Sequence, residues 1–178
     1  MTRKFSFHTF SLVIAIVLTA GFSVAQQPGP PPELDELKKL VGTWDTITKV
    51  PGQPDSTGVA RYRLGVGGMW VISDMEGKIA GLPYQGHGLD SYDTGKKKYV
   101  SVWVDSMSGS PNIFEGNYEG DKGLVMTGET TSPEGQLIKW RSISQMPDDD
   151  HIKFDLFMVT PDGKENLMIS INYTRRKK

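Results

Sequence analysis

Turn residues recur at short, near-regular intervals through most of this chain, and that punctuation limits its fold more than any other feature. From Gly42 onward the separators are Pro51-Gly52, Gly67-Gly68, Gly81-Leu82-Pro83, Asp93-Thr94-Gly95, Gly120-Asp121-Lys122-Gly123, Pro133-Glu134-Gly135, Pro147–Asp150 and Pro161-Asp162-Gly163. Glycine there reaches positive φ, proline presets φ, and Asp bonds to its own backbone. The segments between them alternate polar and apolar residues, which is the period of a half-buried strand. Ten strands are predicted: Thr43–Val50, Thr57–Gly65, Met69–Lys78, Tyr84–Tyr92, Lys97–Met107, Asn112–Glu119, Gly123–Thr130, Gln136–Met146, His151–Thr160 and Glu165–Arg175. They follow one another as hairpins without a long crossover. Closing such a sheet removes its exposed edges. The expected fold is therefore all-β, a single up-and-down antiparallel β-barrel, with a β-sandwich as the alternative. A barrel of this strand number has room inside for more than side chains.

One helix precedes the strands. Pro32 stands where a first helical residue would, Glu33, Asp35 and Glu36 fill the first turn, and Lys38 and Lys39 fill the last. That order complements the helix dipole. Leu34, Leu37, Leu40 and Val41 make one apolar side, and Gly42 ends it. The segment Glu33–Leu40 is expected to cap one end of the barrel or pack against its outside.

The first 25 residues read as a secretory signal peptide: Arg3 and Lys4, the apolar run Ser11–Thr19, then Ser23-Val24-Ala25 as the cleavage site. The apolar run is short of the ~20 residues that span a bilayer. Cleavage after Ala25 leaves a Pro-rich linker, 26–32, and one domain, 33–178, exported to a bacterial periplasm or beyond the cell, with no stable membrane insertion. There is no cysteine, so disulfides, thiolate metal sites and a cysteine nucleophile are excluded. The formal charge of −1 gives no electrostatic reason to expect nucleic acid. The basic cluster Arg175-Arg176-Lys177-Lys178 reads as a solvated tail.

The hairpin Gly86–Gly109 is the most informative stretch. In its second strand Tyr99, Ser101, Trp103 and Asp105 share one face and Val100, Val102 and Val104 the other. A three-residue loop Asp93-Thr94-Gly95, with Gly95 at positive φ, would pair Tyr92 with Lys96 and His87 with Ser101. His87 then joins Trp103 and Asp105. A register shifted by one places His87 among the valines.

Several stretches resemble known families. Leu40-Val41-Gly42-Thr43-Trp44 after a short helix is similar to the opening of lipocalin-like (calycin-type) barrels. Gly67-Gly68-Met69-Trp70-Val71, Tyr92-Asp93, Lys98-Tyr99-Val100, Trp103–Met107 and Asp149-Asp150-His151 resemble the bacterial domain-of-unknown-function family numbered fifteen seventy-nine. The resemblance covers Leu34 to Tyr173 and implies a barrel without a defined activity. The opening also resembles the haem-binding nitrobindin-type barrels, which continue past the tryptophan with a glycine-rich pattern where this chain has Asp45-Thr46-Ile47.

Eight residues are candidates for binding a small, mostly apolar ligand: Trp44, Trp70, His87, Ser101, Trp103, Asp105, Arg63 and Trp140. Aromatics would supply apolar contact, and His87, Asp105 or an inward arginine would fix orientation. Arg61, Lys139 and Arg141 are read as a solvated face. An enzyme would use His87 and Asp105 as an acid–base pair, and a structural envelope protein would have a filled barrel. No catalytic residue is assigned. Ser106–Ser110 lacks the setting of a nucleophile elbow, and Gly65–Gly68 lacks the βαβ unit of a phosphate loop. No metal or cofactor is expected: only His87 and His151 follow the cleavage site, and Asp148-Asp149-Asp150 lacks the spacing of a calcium loop.

Overall fold

A computed structural model describes residues 29–132 and 134–177. The expected signal peptide and residues 26–28 of the linker lie outside the described residues. The chain forms one short helix, α1 (Leu34–Lys38), and ten strands: β1 (Gly42–Lys49), β2 (Ser56–Gly65), β3 (Trp70–Ile79), β4 (Leu82–Asp93), β5 (Lys98–Asp105), β6 (Ser108–Tyr118), β7 (Leu124–Thr131), β8 (Leu137–Asp148), β9 (His151–Val159) and β10 (Glu165–Arg175). Every strand pairs antiparallel with its neighbour in sequence, and β1 closes the barrel against β10. The up-and-down barrel expected from the turn spacing is the fold observed. β6 starts at Ser108, earlier than expected, because Asp105 Oδ1 accepts the Met107 N–H at 2.8 Å and tightens the β5–β6 turn.

α1 caps one end. Leu34 and Leu37 are buried against Val71, Tyr99, Leu124 and Met126. Full burial of a leucine contributes about 1.5–3 kcal/mol, and without such packing so short a helix would not persist. Tyr99 packs edge-on against Tyr92 and Tyr118 and donates its hydroxyl to the Glu33 carbonyl at 3.0 Å.

Arg175 fastens the helix to the last strand and is no free tail residue. Its guanidinium donates to the carbonyls of Lys39 (2.7 Å), Val41 (2.9 Å) and Asp149 (2.7 Å), and it lies 4.0 Å from the centroid of the Trp44 ring. Arg176 pairs with Asp45. The expected solvated basic tail is thus corrected at two positions: carbonyls left unpaired at the helix end are satisfied by a cation from a distant strand.

The register of the β4–β5 hairpin differs from the one expected. Asp93 pairs with Lys98, Tyr92 with Tyr99 and His87 with Val104. The loop is the four-residue Thr94–Lys97. Asp93 Oδ1 accepts from both Gly95 N and Lys96 N at 2.9 Å, which winds the loop one residue further. Lys97, at φ 55°, takes the left-handed exit that Gly95 was expected to take. The parity of the pairing reverses with it, and His87 turns to the outer face with the valines.

Candidate functional site

The strand pairings define the inner wall. One row runs Val71, Asp90, Ser101, Phe114, Gly128, Trp140 and Met158 across successive strands. Another runs Tyr62, Ser73, Gly88, Trp103 and Asn112. From these rows Tyr62, Ser73, Asp90, Trp103, Phe114 and Trp140 are among the side chains that line a cavity of about 1010 Å³. Its body is apolar, with Met75, Phe114, Met126, Phe154, Leu156 and Ile169 among the lining residues. At the helix end it reaches Leu37 and Leu40 and the turns around Asp121 and Asp149. A volume above ~300 Å³ is in the range of small-molecule sites, so the barrel is not filled by its own side chains.

Among the polar groups of the wall, which include Ser73, Asn112, Ser142 and Ser144, two clusters around carboxylates stand out. The first is built on Trp103. Gly86 and Gly88 of β4 have no side chain, and the indole lies in the space this leaves: a Cβ on Gly86 would sit 2.1 Å from Trp103 Cζ2. So placed, Trp103 Nε1 donates to the Tyr84 hydroxyl at 2.9 Å and to Asp105 Oδ2 at 3.2 Å. Tyr84 donates to the same carboxylate oxygen at 3.4 Å. Burial, then the adjacent Asp105 charge, raises the Tyr84 pKa, so this hydroxyl stays a donor throughout the physiological range.

The second group is Asp90, between Val71 and Ser101, with Tyr62 and Tyr173 nearby. It is half-buried on the cavity wall, and the loss of solvent there raises its pKa from 3.8 to about 6, opposed by the adjacent Ser101 hydroxyl. Tyr62 and Tyr173 stand beside each other there. Burial, and after it neighbouring groups that include Asp90, pushes the Tyr173 hydroxyl up to about 12 and that of Tyr62 well above the ordinary value. Among the described residues no cation pairs with Asp90.

Of the eight residues singled out from sequence, Ser101, Trp103, Asp105 and Trp140 line the cavity. Trp140 donates its indole N–H to Thr130 Oγ1 at 2.7 Å. Trp44 faces inward but is fully buried beside the helix, donating to the Leu40 carbonyl at 2.8 Å, and does not line the cavity. Trp70, opposite Gly65, and Arg63, opposite Ile72, stand on the outer face. His87 is outside as well, with its Nδ1 2.7 Å from Asp74 Oδ1. His87 and Asp105 therefore alternate to opposite faces of the wall, and among the described residues no hydrogen bond joins them. Arg61, Lys139 and Arg141 are also outside, near Glu76, Glu129 and Glu165. Asp90, Tyr62, Tyr84 and Tyr173 were not found from the sequence. The signal for Asp90 was its alternation with Gly86 and Gly88, and the assumed register turned that face outward.

A closed antiparallel barrel with a capped end and an open interior is a barrel of the lipocalin-like class. The chain belongs to the family described as "Protein of unknown function (DUF1579)", whose family model matches residues 29–175. No curated protein matches the chain. Among solved structures it is similar to the crystal structure of Rv2717c from M. tuberculosis, with a TM-score of 0.59 and 17% identity over 83% of this chain and 99% of that one. That likeness is one of fold. A de novo designed fluorescence-activating β-barrel aligns with a TM-score of 0.45 and 15% identity over 80% of this chain and 98% of its own. A redesigned barrel, mFAP0, solved bound to DFHBI, aligns at 0.41 and 17% over 77% and 99%. Both likenesses are too loose to bear on the chemistry of this chain.

Proposed function

We propose that this protein is an exported β-barrel that binds a small, mostly apolar molecule in its interior. The observation that carries this reading is the cavity of about 1010 Å³, whose body is walled by Phe, Met, Leu and Ile side chains. Such a wall offers contact area without directional bonds, and its polar groups would orient a guest. The indole of Trp103, held by two acceptors, is a preformed surface for an aromatic or aliphatic body.

Titration with the neutral fluorophore N-phenyl-1-naphthylamine tests it. A saturable rise in fluorescence is expected. The variant Leu156→Trp, which adds bulk to the cavity wall, should weaken it by about tenfold, as expected for a few lost apolar contacts, while leaving the circular dichroism of the barrel intact. The absence of saturable binding, or equal binding by the variant, overturns the reading. Export rests on the charged, apolar and small-residue regions of the first 25 residues. Expression of the full chain in a bacterium should yield a periplasmic or secreted protein beginning at Gln26. N-terminal sequencing that returns an intact start overturns it.

A further inference from the structure

We infer that the ligand is an amphipathic organic cation, an apolar body carrying a protonated amine that pairs with Asp90. This rests on the proposal that the cavity binds a small molecule and adds the charge of that molecule.

The inner wall is electrostatically one-sided. Six carboxylates line the cavity and only two cations do, Lys39 and Lys153. Both lysines already have partners: Lys39 is 2.7 Å from Glu36, and Lys153 is 2.9 Å from Asp155. No arginine or histidine among the described residues lines the cavity. A guest carboxylate or phosphate would meet no free cation there and would face Asp90 instead. Asp121, Asp148 and Asp149, at the helix end, extend the same sign outward and would draw a cation toward the interior.

Within that wall the two half-buried, inward-facing carboxylates of the strands differ. Asp105 already accepts from Trp103, Tyr84 and Met107. Asp90 has Ser101 beside it on the neighbouring strand and, among the described residues, no cation. A half-buried carboxylate on an apolar cavity wall, without a counter-charge, gains from taking up a proton or a cation. An ammonium group there would replace the missing hydration, and the apolar body would lie along Phe114, Met126 and Leu156. An ionised pair with hydrogen bonds is also stronger than a neutral contact.

Competition against bound N-phenyl-1-naphthylamine at pH 7.5 tests the inference with three guests of one body: decylamine, 1-decanol and decanoic acid. The amine is expected to displace the fluorophore at about tenfold lower concentration than the alcohol, the change a charge-assisted hydrogen bond supplies, with the acid the weakest. Asp90→Asn should bring the amine to the level of the alcohol. His87→Ala, on the outer face, should leave the amine-to-alcohol ratio as in the parent. The ratio is read within each protein, so a general loss of affinity does not mimic the result. Equal competition by the three guests, preference for the acid, or an amine preference that survives Asp90→Asn overturns the inference while the binding reading stands. Failure of the fluorophore and of every guest to bind overturns both.

Discussion

Asp90 and Asp105 stand on adjacent strands of one inner wall, and their surroundings treat them oppositely. Asp105 lies at a hairpin end, where an indole, a phenol and a backbone N–H converge on it. Those donors are there because two glycines on β4 let Trp103 lie flat against the wall. Asp90 sits half-buried in the wall beside the Ser101 hydroxyl and two tyrosines that do not neutralise it. The first arrangement is finished, in that the protein itself supplies what the carboxylate needs. The second is unfinished, and the open cavity beside it is where the missing partner would stand. A buried polar group that lacks partners is a better pointer to a site than one that is fully bonded.

The comparison breaks most severely if the glycine seat of Trp103 is removed. Gly86→Val would drive its Cβ into the indole, which must then leave its acceptors. A loss of about 2–3 kcal/mol is expected, the upper part of the range for overpacking, with a changed near-ultraviolet signal from Trp103. Urea denaturation measures it, and a parent-like midpoint would show that the indole is not seated as described.

Replacing each carboxylate by its amide sharpens the contrast, because the two changes should have opposite signs. Asp105→Asn turns a donor toward donors and should cost about 1–2 kcal/mol. Asp90→Asn should stabilise the unliganded protein at pH 7.5 by about 3 kcal/mol, from a shift of roughly two pH units at about 1.4 kcal/mol each. The folded state holds the Asp90 proton up to about pH 6, whereas the unfolded chain releases it near its ordinary 3.8. The folded state thus binds more protons between these values, so the parent loses stability as pH rises from about 4 to about 6. The amide removes that component. Thermal melts of both variants at pH 4 and 7.5 test this, and the same sign for the two amides would sink the distinction between them.

Much of the fold was legible because its signals are local. Each hairpin carries its own turn residues, and each strand its own alternation, so the number and order of strands follow from the chain read in sequence. The candidate site was half legible for the same reason. Tyr99, Ser101, Trp103 and Asp105 share a face by alternation alone, and all four do face inward. Residues drawn from single-residue character fared differently: Trp70 and Arg63 lie on the outer face because alternation in β2 and β3 puts Tyr62 and Val71 inside. Trp44 faces in, but it is spent on sealing the helix end.

His87 and Asp90 show where local reading stops. They are three residues apart on one strand, so one faces in when the other faces out. Sequence by itself determined that separation, the alternating faces, the ten strands and the helix that covers them. Which face of β4 is the inner one depended on the length of the β4–β5 loop. Two hydrogen bonds to the Asp93 side chain and a left-handed Lys97 set that length. The tertiary structure alone decided it, because register is a property of two strands held together by a loop and by neighbours on both sides. The period of the side chains along one strand is the same in either register.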